Sequence, residues 1–224
     1  MRRHLNVLVE SGLAVLMIAA LFAVFVYVPS EREMGVVQRI FYFHVSSAIA
    51  AFVGFAMVFV ASIQYLRTRR ENWDCLALAA AELGVVFSLI VLISGPIWAK
   101  PIWGVFWRWE PRLTSMLIAF TIYVAYLIVR SYTTGSPDRT RRFAAVIGVV
   151  AFVNVPLVYY SVNLWSTDQQ LHPREVELAP AMVQTRYLAF AAIIALFFYL
   201  LKRRYELEKL ARNVERLDAD LPLH

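Results

Sequence analysis

The sequence has 224 residues, of which 60% are hydrophobic and 17% charged, with a formal net charge of +6 and a mean hydropathy of +0.60. Soluble domains carry about 25% charged residues, so this composition excludes an ordinary soluble protein and favours a polytopic membrane protein. Its basic residues are expected to mark membrane topology and not a nucleic-acid surface. The single cysteine, Cys75, excludes an intramolecular disulfide bond and a multi-thiolate metal site.

Six apolar runs are each long enough to cross about 30 Å of hydrocarbon as an α-helix. The first resembles a signal peptide, but no small-residue cleavage site follows it, so we interpret it as a retained span. The runs are continuously apolar and do not alternate with period two, which argues against a closed barrel. The sequence therefore predicts an all-α polytopic membrane protein with spans near 11–29, 41–66, 76–98, 113–130, 143–163 and 186–201.

The distribution of basic residues predicts the orientation of the chain. With the N-terminus inside, the cytoplasmic segments hold about twice as many Lys and Arg residues as the outer segments. The densest basic clusters, at 67–70, 139–142 and 202–204, all fall on the cytoplasmic side. By the positive-inside rule, both termini are expected to be cytoplasmic.

This orientation places most of the unusual residues on the outer side of the membrane. His44 lies about one turn inside the outer end of the second span, and His172 lies in the outer loop before the sixth span. Five of the six tryptophans share this side: Trp98, Trp103, Trp107, Trp109 and Trp165. Aromatic belts at membrane interfaces are common and would explain single residues such as Trp98 and Trp165.

The outer loop WGVFWRWEP, residues 103–111, is too dense in aromatic side chains for such a belt. If residues 102–110 are helical, one face carries Trp103, Phe106, Trp107 and Glu110. We expect a short interfacial helix between the third and fourth spans that presents an aromatic shelf. Two outer histidines could bind iron axially, and the shelf could stack on a porphyrin.

The C-terminal segment has an amphipathic pattern. Leu207, Leu210, Val214 and Leu217 recur at helical spacing after the sixth span. We therefore divide the chain into a six-span membrane domain, residues 1–204, and a cytoplasmic amphipathic tail, residues 205–224. The tail either lies on its own protein or contacts a partner.

Three segments together resemble a known family of haem-handling membrane proteins. The stretch GPIWAKPIWGVFWRWEPRLTS is similar to the family's tryptophan-rich WWD motif, with Phe106 where Trp or Tyr is usual and Glu110-Pro111 in place of Asp-Ala. MGVVQRIFYFHVSSA resembles the segment around the first outer histidine of the CcmC branch. YYSVNLWSTDQQLHP resembles the segment leading to the second histidine, which here lies several residues later. The similarity covers most of residues 29–201.

The resemblance implies a haem-transfer protein and not an enzyme. Such a protein binds haem b at the outer, periplasmic face of the bacterial inner membrane and delivers it to the haem chaperone CcmE for cytochrome c biogenesis. Its expected partners are the ABC-type components CcmA and CcmB and the small membrane protein CcmD, within the lipid bilayer. No GxxxxGK[ST] loop is present in the sequence, so ATP hydrolysis would belong to a separate chain.

The candidate haem site follows from the outer residues and this resemblance. We expect His44 and His172 to be axial ligands and Arg39 and Arg112 to pair with the propionates. The expected haem platform comprises Trp98, Trp103, Phe106, Trp107, Trp109 and Glu110.

Two alternative functions stay open. A cytochrome c synthase of the same superfamily would attach haem itself, but such proteins usually need more spans, a second outer histidine pair or a partner subunit with a large outer domain, and the short outer loops here argue against it. A b-type electron-transfer subunit would bury haem between histidine pairs within the spans, whereas this chain has only His44 near a span end.

Overall fold

The computed structural model describes residues 2–132, 136–164 and 178–220. Within these ranges the chain is built from helices, which we number in chain order. They are α1 (Arg2–Phe22), α2 (Ile40–Thr68), α3 (Glu71–Trp103), α4 (Pro111–Tyr132), α5 (Pro137–Ala151), α6 (Asn154–Leu164) and α7 (Pro180–Asp220). A π-helical turn, Ala23–Tyr27, continues α1, and a 3₁₀ turn, Val36–Arg39, leads into α2.

The six predicted membrane spans are confirmed. In the described part of the chain, six helical segments are long and apolar enough to cross a bilayer. They are His4–Tyr27, Val36–Thr68, Glu71–Trp103, Pro111–Tyr132, Pro137–Ser161 and Pro180–Asp218. Each includes most of the corresponding apolar run and extends beyond it at one end or both. The cytoplasmic location of the termini stays a prediction.

The centre of the bundle is the antiparallel pair α2 and α3, surrounded by α4, α5 and α7. The two central helices approach closely at Gly54 and Gly84, where a Cβ atom on Gly54 would lie 3.1 Å from the Cα of Gly84. Beside this crossing, the ring of Phe55 stacks on Tyr123 of α4 with 3.8 Å between centroids. Small residues that let two backbones meet are typical of helix packing in membranes.

The fifth span is not one continuous helix. Its two parts, α5 and α6, are separated at Phe152 and Val153, inside the run that the sequence predicts as a single span. Pro156 explains the break, because a proline has no N–H to donate and its ring clashes with the carbonyl four residues earlier, that of Phe152. The second part, α6, packs against α4.

The outer loop between α3 and α4 differs from the short helix expected over residues 102–110. Trp103 is the last residue of α3, and residues 104–110 are bends and irregular backbone. Gly104 ends α3 in the left-handed conformation, with φ of 73°, while its N–H closes the last turn on the carbonyl of Lys100. Pro111 then begins α4 and disfavours a helical conformation at the residue before it.

The last helix runs without interruption through the boundary at 204 and 205. One face of its C-terminal part is tied to the start of α3, since Arg204 pairs with Glu82, Arg212 with Asp74 and Arg216 with Glu71. The apolar stripe lies on an exposed face and consists of Leu207, Leu210, Val214 and Leu217. The tail is therefore amphipathic, with its charged side facing α3 and its apolar side exposed.

Candidate functional site

A cavity of about 340 Å³ lies between α2, α3, α4 and α6. It brings together five of the residues selected from the sequence: His44, Trp98, Trp103, Trp107 and Arg112. The rest of its wall is mainly apolar and includes Phe41, Ala48, Phe52, Val91, Leu113 and Met116. A mostly apolar cavity with a few convergent polar groups is the usual form of a small-molecule site.

His44 projects from the first turns of α2 and is only 8% exposed. Its Nδ1 atom lies 2.9 Å from Oγ of Ser94 on α3. The hydroxyl of Ser94 also donates a hydrogen bond of 2.7 Å to the carbonyl of Ile90, one turn earlier in the same helix. A Cβ atom on Gly95 would lie 3.2 Å from Cε1 of His44, so α3 provides both a polar contact and the space for the imidazole.

Trp98 lies at the centre of the aromatic wall. Its ring centroid is 5.8 Å from that of His44, 6.0 Å from Phe41 and 6.3 Å from Trp103. Its indole Nε1 and that of Trp107 are buried and have no hydrogen-bond partner among the described residues. Because a buried, unpaired donor costs free energy, both groups favour a ligand that supplies acceptors.

The remaining aromatic residues of the outer loop point away from the cavity. Phe106 is 58% exposed and Trp109 is 75% exposed, and neither lines the cavity. The amine of Lys100 lies 5.2 Å from the centre of the Phe106 ring, and Trp109 packs edge-on against Trp107 at 5.6 Å. A helix would have placed Phe106 on one face with Trp103 and Trp107. With the irregular backbone after Gly104, Trp103 and Trp107 line the cavity and Phe106 does not.

Glu110 and the two arginines occupy different places around the site. Glu110 is buried at the start of α4 but does not line the cavity. Arg112 lines the cavity, and its Nη2 donates a 2.9 Å hydrogen bond to the carbonyl of Tyr159 on α6. Arg39 lies in the 3₁₀ turn before α2, outside the cavity lining, and its Nε has no partner in the described part of the chain.

His172 and Trp165 lie outside the described residues.

The family model "CcmC: Heme exporter protein C" matches residues 1–220 of this chain. The chain belongs to the CcmC family. It is 33% identical over 201 residues to "Heme exporter protein C" of Rhodobacter capsulatus, covering 87% of this chain and 82% of that protein. The protein of the same name from Paracoccus denitrificans is 34% identical over 196 residues, 84% of this chain and 80% of the relative. The Escherichia coli K12 protein is 33% identical over 159 residues, 70% of this chain and 64% of the relative.

In this CcmC-family chain, two residues beside His44 were not selected from the sequence. Ser94 and Gly95 precede Pro96 inside an apolar run, and nothing in their spacing points to a histidine 50 positions away. The one local signal is the SGP sequence itself, because a small polar residue, a glycine and a proline are unusual together inside a span. Tyr159, whose carbonyl holds Arg112, was likewise not selected.

Proposed function

We propose that this chain exports haem for cytochrome c maturation, by binding haem b in the cavity and delivering it to the haem chaperone CcmE. The observation that carries the proposal is the position of His44, an imidazole at the wall of an aromatic cavity that also contains an arginine. The names of the relatives support the same cargo, since each is called a heme exporter protein.

The residues of the cavity fit the chemistry of haem. Haem is flat and largely apolar, and its iron binds neutral imidazole. Trp98, Trp103 and Trp107 supply aromatic surface for the macrocycle, and His44 supplies a nitrogen ligand.

The polar groups of the cavity suit the two carboxylates of haem. Arg112 retains N–H donors beyond the one that binds the carbonyl of Tyr159, because a guanidinium has five. The buried indole N–H groups of Trp98 and Trp107 are two further donors in the wall. We assign Arg112 to one propionate and keep Arg39, near the outer end of α2, as the candidate for the other.

We assign the second axial position to His172 and the contact with the chaperone to the exposed part of the outer loop. His172 belongs to the segment between α6 and α7, which the proposed topology places on the same side of the membrane as the first turns of α2, where His44 lies. Phe106 and Trp109 present exposed aromatic surface next to the cavity, which is the kind of surface that anchors protein interfaces.

The proposed setting is the bacterial inner membrane, with the cavity on the periplasmic side and both termini in the cytoplasm. In this setting residues 1–204 form the haem-handling domain, and residues 205–224 form a cytoplasmic tail for contacts inside the cell. CcmA, CcmB and CcmD are the proposed partners, and the energy of ATP enters through them and not through this chain. The charged clusters of the cytoplasmic ends support this orientation.

The test is the haem content of the purified protein and its transfer to CcmE. His44→Ala and His172→Ala are each expected to reduce bound haem b and change its absorption spectrum, with partial recovery on addition of imidazole. His4→Ala is the matched control, because His4 is exposed and lies near the first residue of α1. Unchanged haem content and spectrum in His44→Ala, or tightly held haem that quinol reduces and CcmE does not remove, would contradict the proposal.

A further inference from the structure

We propose that Ser94 is a positioning residue that fixes the tautomer and orientation of His44, so that Nε2 is the atom presented to iron. The inference rests on the proposed function, because it concerns how His44 is prepared to bind haem. It concerns a residue outside the cavity wall, since Ser94 is not among the lining residues and touches the site through His44.

The direction of the hydrogen bond follows from the single proton of the serine hydroxyl. Oγ of Ser94 lies 2.7 Å from the carbonyl oxygen of Ile90 and 3.5 Å from that of Val91. Both oxygens can only accept, so the hydroxyl proton is directed to the nearer carbonyl. Toward the imidazole, Ser94 therefore offers a lone pair.

The tautomer of His44 follows from this assignment. Nδ1 lies 2.9 Å from Oγ of Ser94 and must supply the proton of that hydrogen bond. A neutral imidazole has one N–H, so its Nε2 carries the lone pair that binds a metal. Metal-binding histidines generally donate their second ring N–H to a fixed acceptor, and here a hydroxyl held by its own helix takes that place.

The same stretch of α3 also restricts how the ring can turn. A Cβ atom on Gly95 would lie 3.2 Å from Cε1 and 3.8 Å from Nδ1 of His44, so the imidazole lies directly against the backbone of Gly95. Trp98, one turn later, is tilted by 60° to the imidazole at 5.8 Å. Ser94 therefore contacts Nδ1 of a ring that Gly95 and Trp98 also confine, and these contacts together restrict its orientation.

The tautomer can be measured without haem. Histidine labelled with ¹⁵N in the haem-free protein gives signals from only four residues, and His44→Ala identifies the signal of His44 by its loss. We expect the Nδ1–H form in the unsubstituted protein and a shift toward Nε2–H or a mixture in Ser94→Ala. An Nε2–H form in the unsubstituted protein, or the same tautomer in Ser94→Ala, would overturn the inference.

Haem binding provides the second readout. Ser94→Ala is expected to weaken haem affinity by about 10- to 100-fold, the usual effect of removing the hydrogen-bond partner of a metal ligand. In the haem that remains bound, the reduction potential should become more positive, because an imidazole without its acceptor donates less electron density to ferric iron. Ser94→Thr keeps the hydroxyl and should preserve both values.

Ser88→Ala is the matched control for the loss of a helical serine. Ser88 is buried on the same helix and donates a 2.9 Å hydrogen bond to the carbonyl of Val85. Equal losses in Ser88→Ala and Ser94→Ala, or a changed potential in Ser94→Thr, would mean that Ser94 is only structural. Full haem affinity in Ser94→Ala, together with its loss in His44→Ala, would reject this inference alone, whereas full affinity in His44→Ala would reject the proposed function.

Discussion

Asp74 and Arg212 are 138 positions apart in the sequence, and Nη2 of Arg212 lies 2.7 Å from Oδ2 of Asp74. The other oxygen of the same carboxylate accepts a 2.7 Å hydrogen bond from Arg130 on α4. Asp74 is only 1% exposed, so one buried carboxylate joins α3, α4 and α7 at the end of the bundle opposite the cavity. This cluster holds the long last helix against the membrane domain.

Asp74→Asn is expected to destabilise the protein strongly. The substitution removes the negative charge that two buried arginines share, and breaking a buried ion pair typically costs about 3–5 kcal/mol. Thermal unfolding in detergent measures the effect as a large decrease in the midpoint. Asp218→Asn, at an exposed position on α7, the helix that carries Arg212, is the control and should unfold as the unsubstituted protein does. Equal midpoints for the two variants would show that the cluster contributes little to stability.

Gly95→Ala should reduce haem binding while leaving the bundle intact. The added methyl group would lie 3.2 Å from Cε1 of His44, closer than ordinary van der Waals contact, so the imidazole must move from its place beside Ser94. We expect a several-fold lower haem occupancy at normal protein level in the membrane. Gly12→Ala, where an added Cβ meets nothing within 4 Å, should keep full occupancy. Haem content unaffected by Gly95→Ala would argue that the position of the ring is not critical.

Paired replacement of Trp98 and Trp107 by Phe should weaken haem retention by about ten-fold or more. Each substitution removes part of an aromatic face and a buried N–H donor, and about 1.4 kcal/mol corresponds to one factor of ten in affinity. The measurement is the rate at which haem is lost to an excess of an apo-haem-binding protein. If the aromatic residues served only as a membrane-interface belt, Phe would substitute without effect.

Trp109→Ala should separate haem binding from delivery. Trp109 is 75% exposed and does not line the cavity, so its loss should leave haem content unchanged. We expect lower recovery of CcmE with the haem-loaded protein, because exposed Trp side chains are frequent anchors of interfaces. If the variant instead loses haem while the recovery of CcmE is unchanged, Trp109 belongs to the haem site and not to the contact with the chaperone.

Hydropathy was sufficient for the six spans, because a helix in a bilayer needs a long apolar run and these runs are separated by charged connectors. Hydropathy could not show that the helix of the fifth span breaks at Phe152 and Val153, before Pro156. The shelf geometry assumed that residues 102–110 are helical, but Gly104 ends α3 with a positive φ, and Phe106, which was expected on the shelf, is exposed. The contact between His44 and Ser94 depends on how α2 and α3 align, and this alignment is set by packing at Gly54 and Gly84.

The central claim, that haem binds in the cavity at His44, is tested most directly by the structure of the haem-loaded protein determined by electron cryomicroscopy. The account predicts iron at coordination distance, about 2 Å as for other metal–imidazole bonds, from Nε2 of His44. It also predicts the macrocycle against Trp98 and Trp107. Iron bound elsewhere, with no porphyrin density in the cavity, would contradict it.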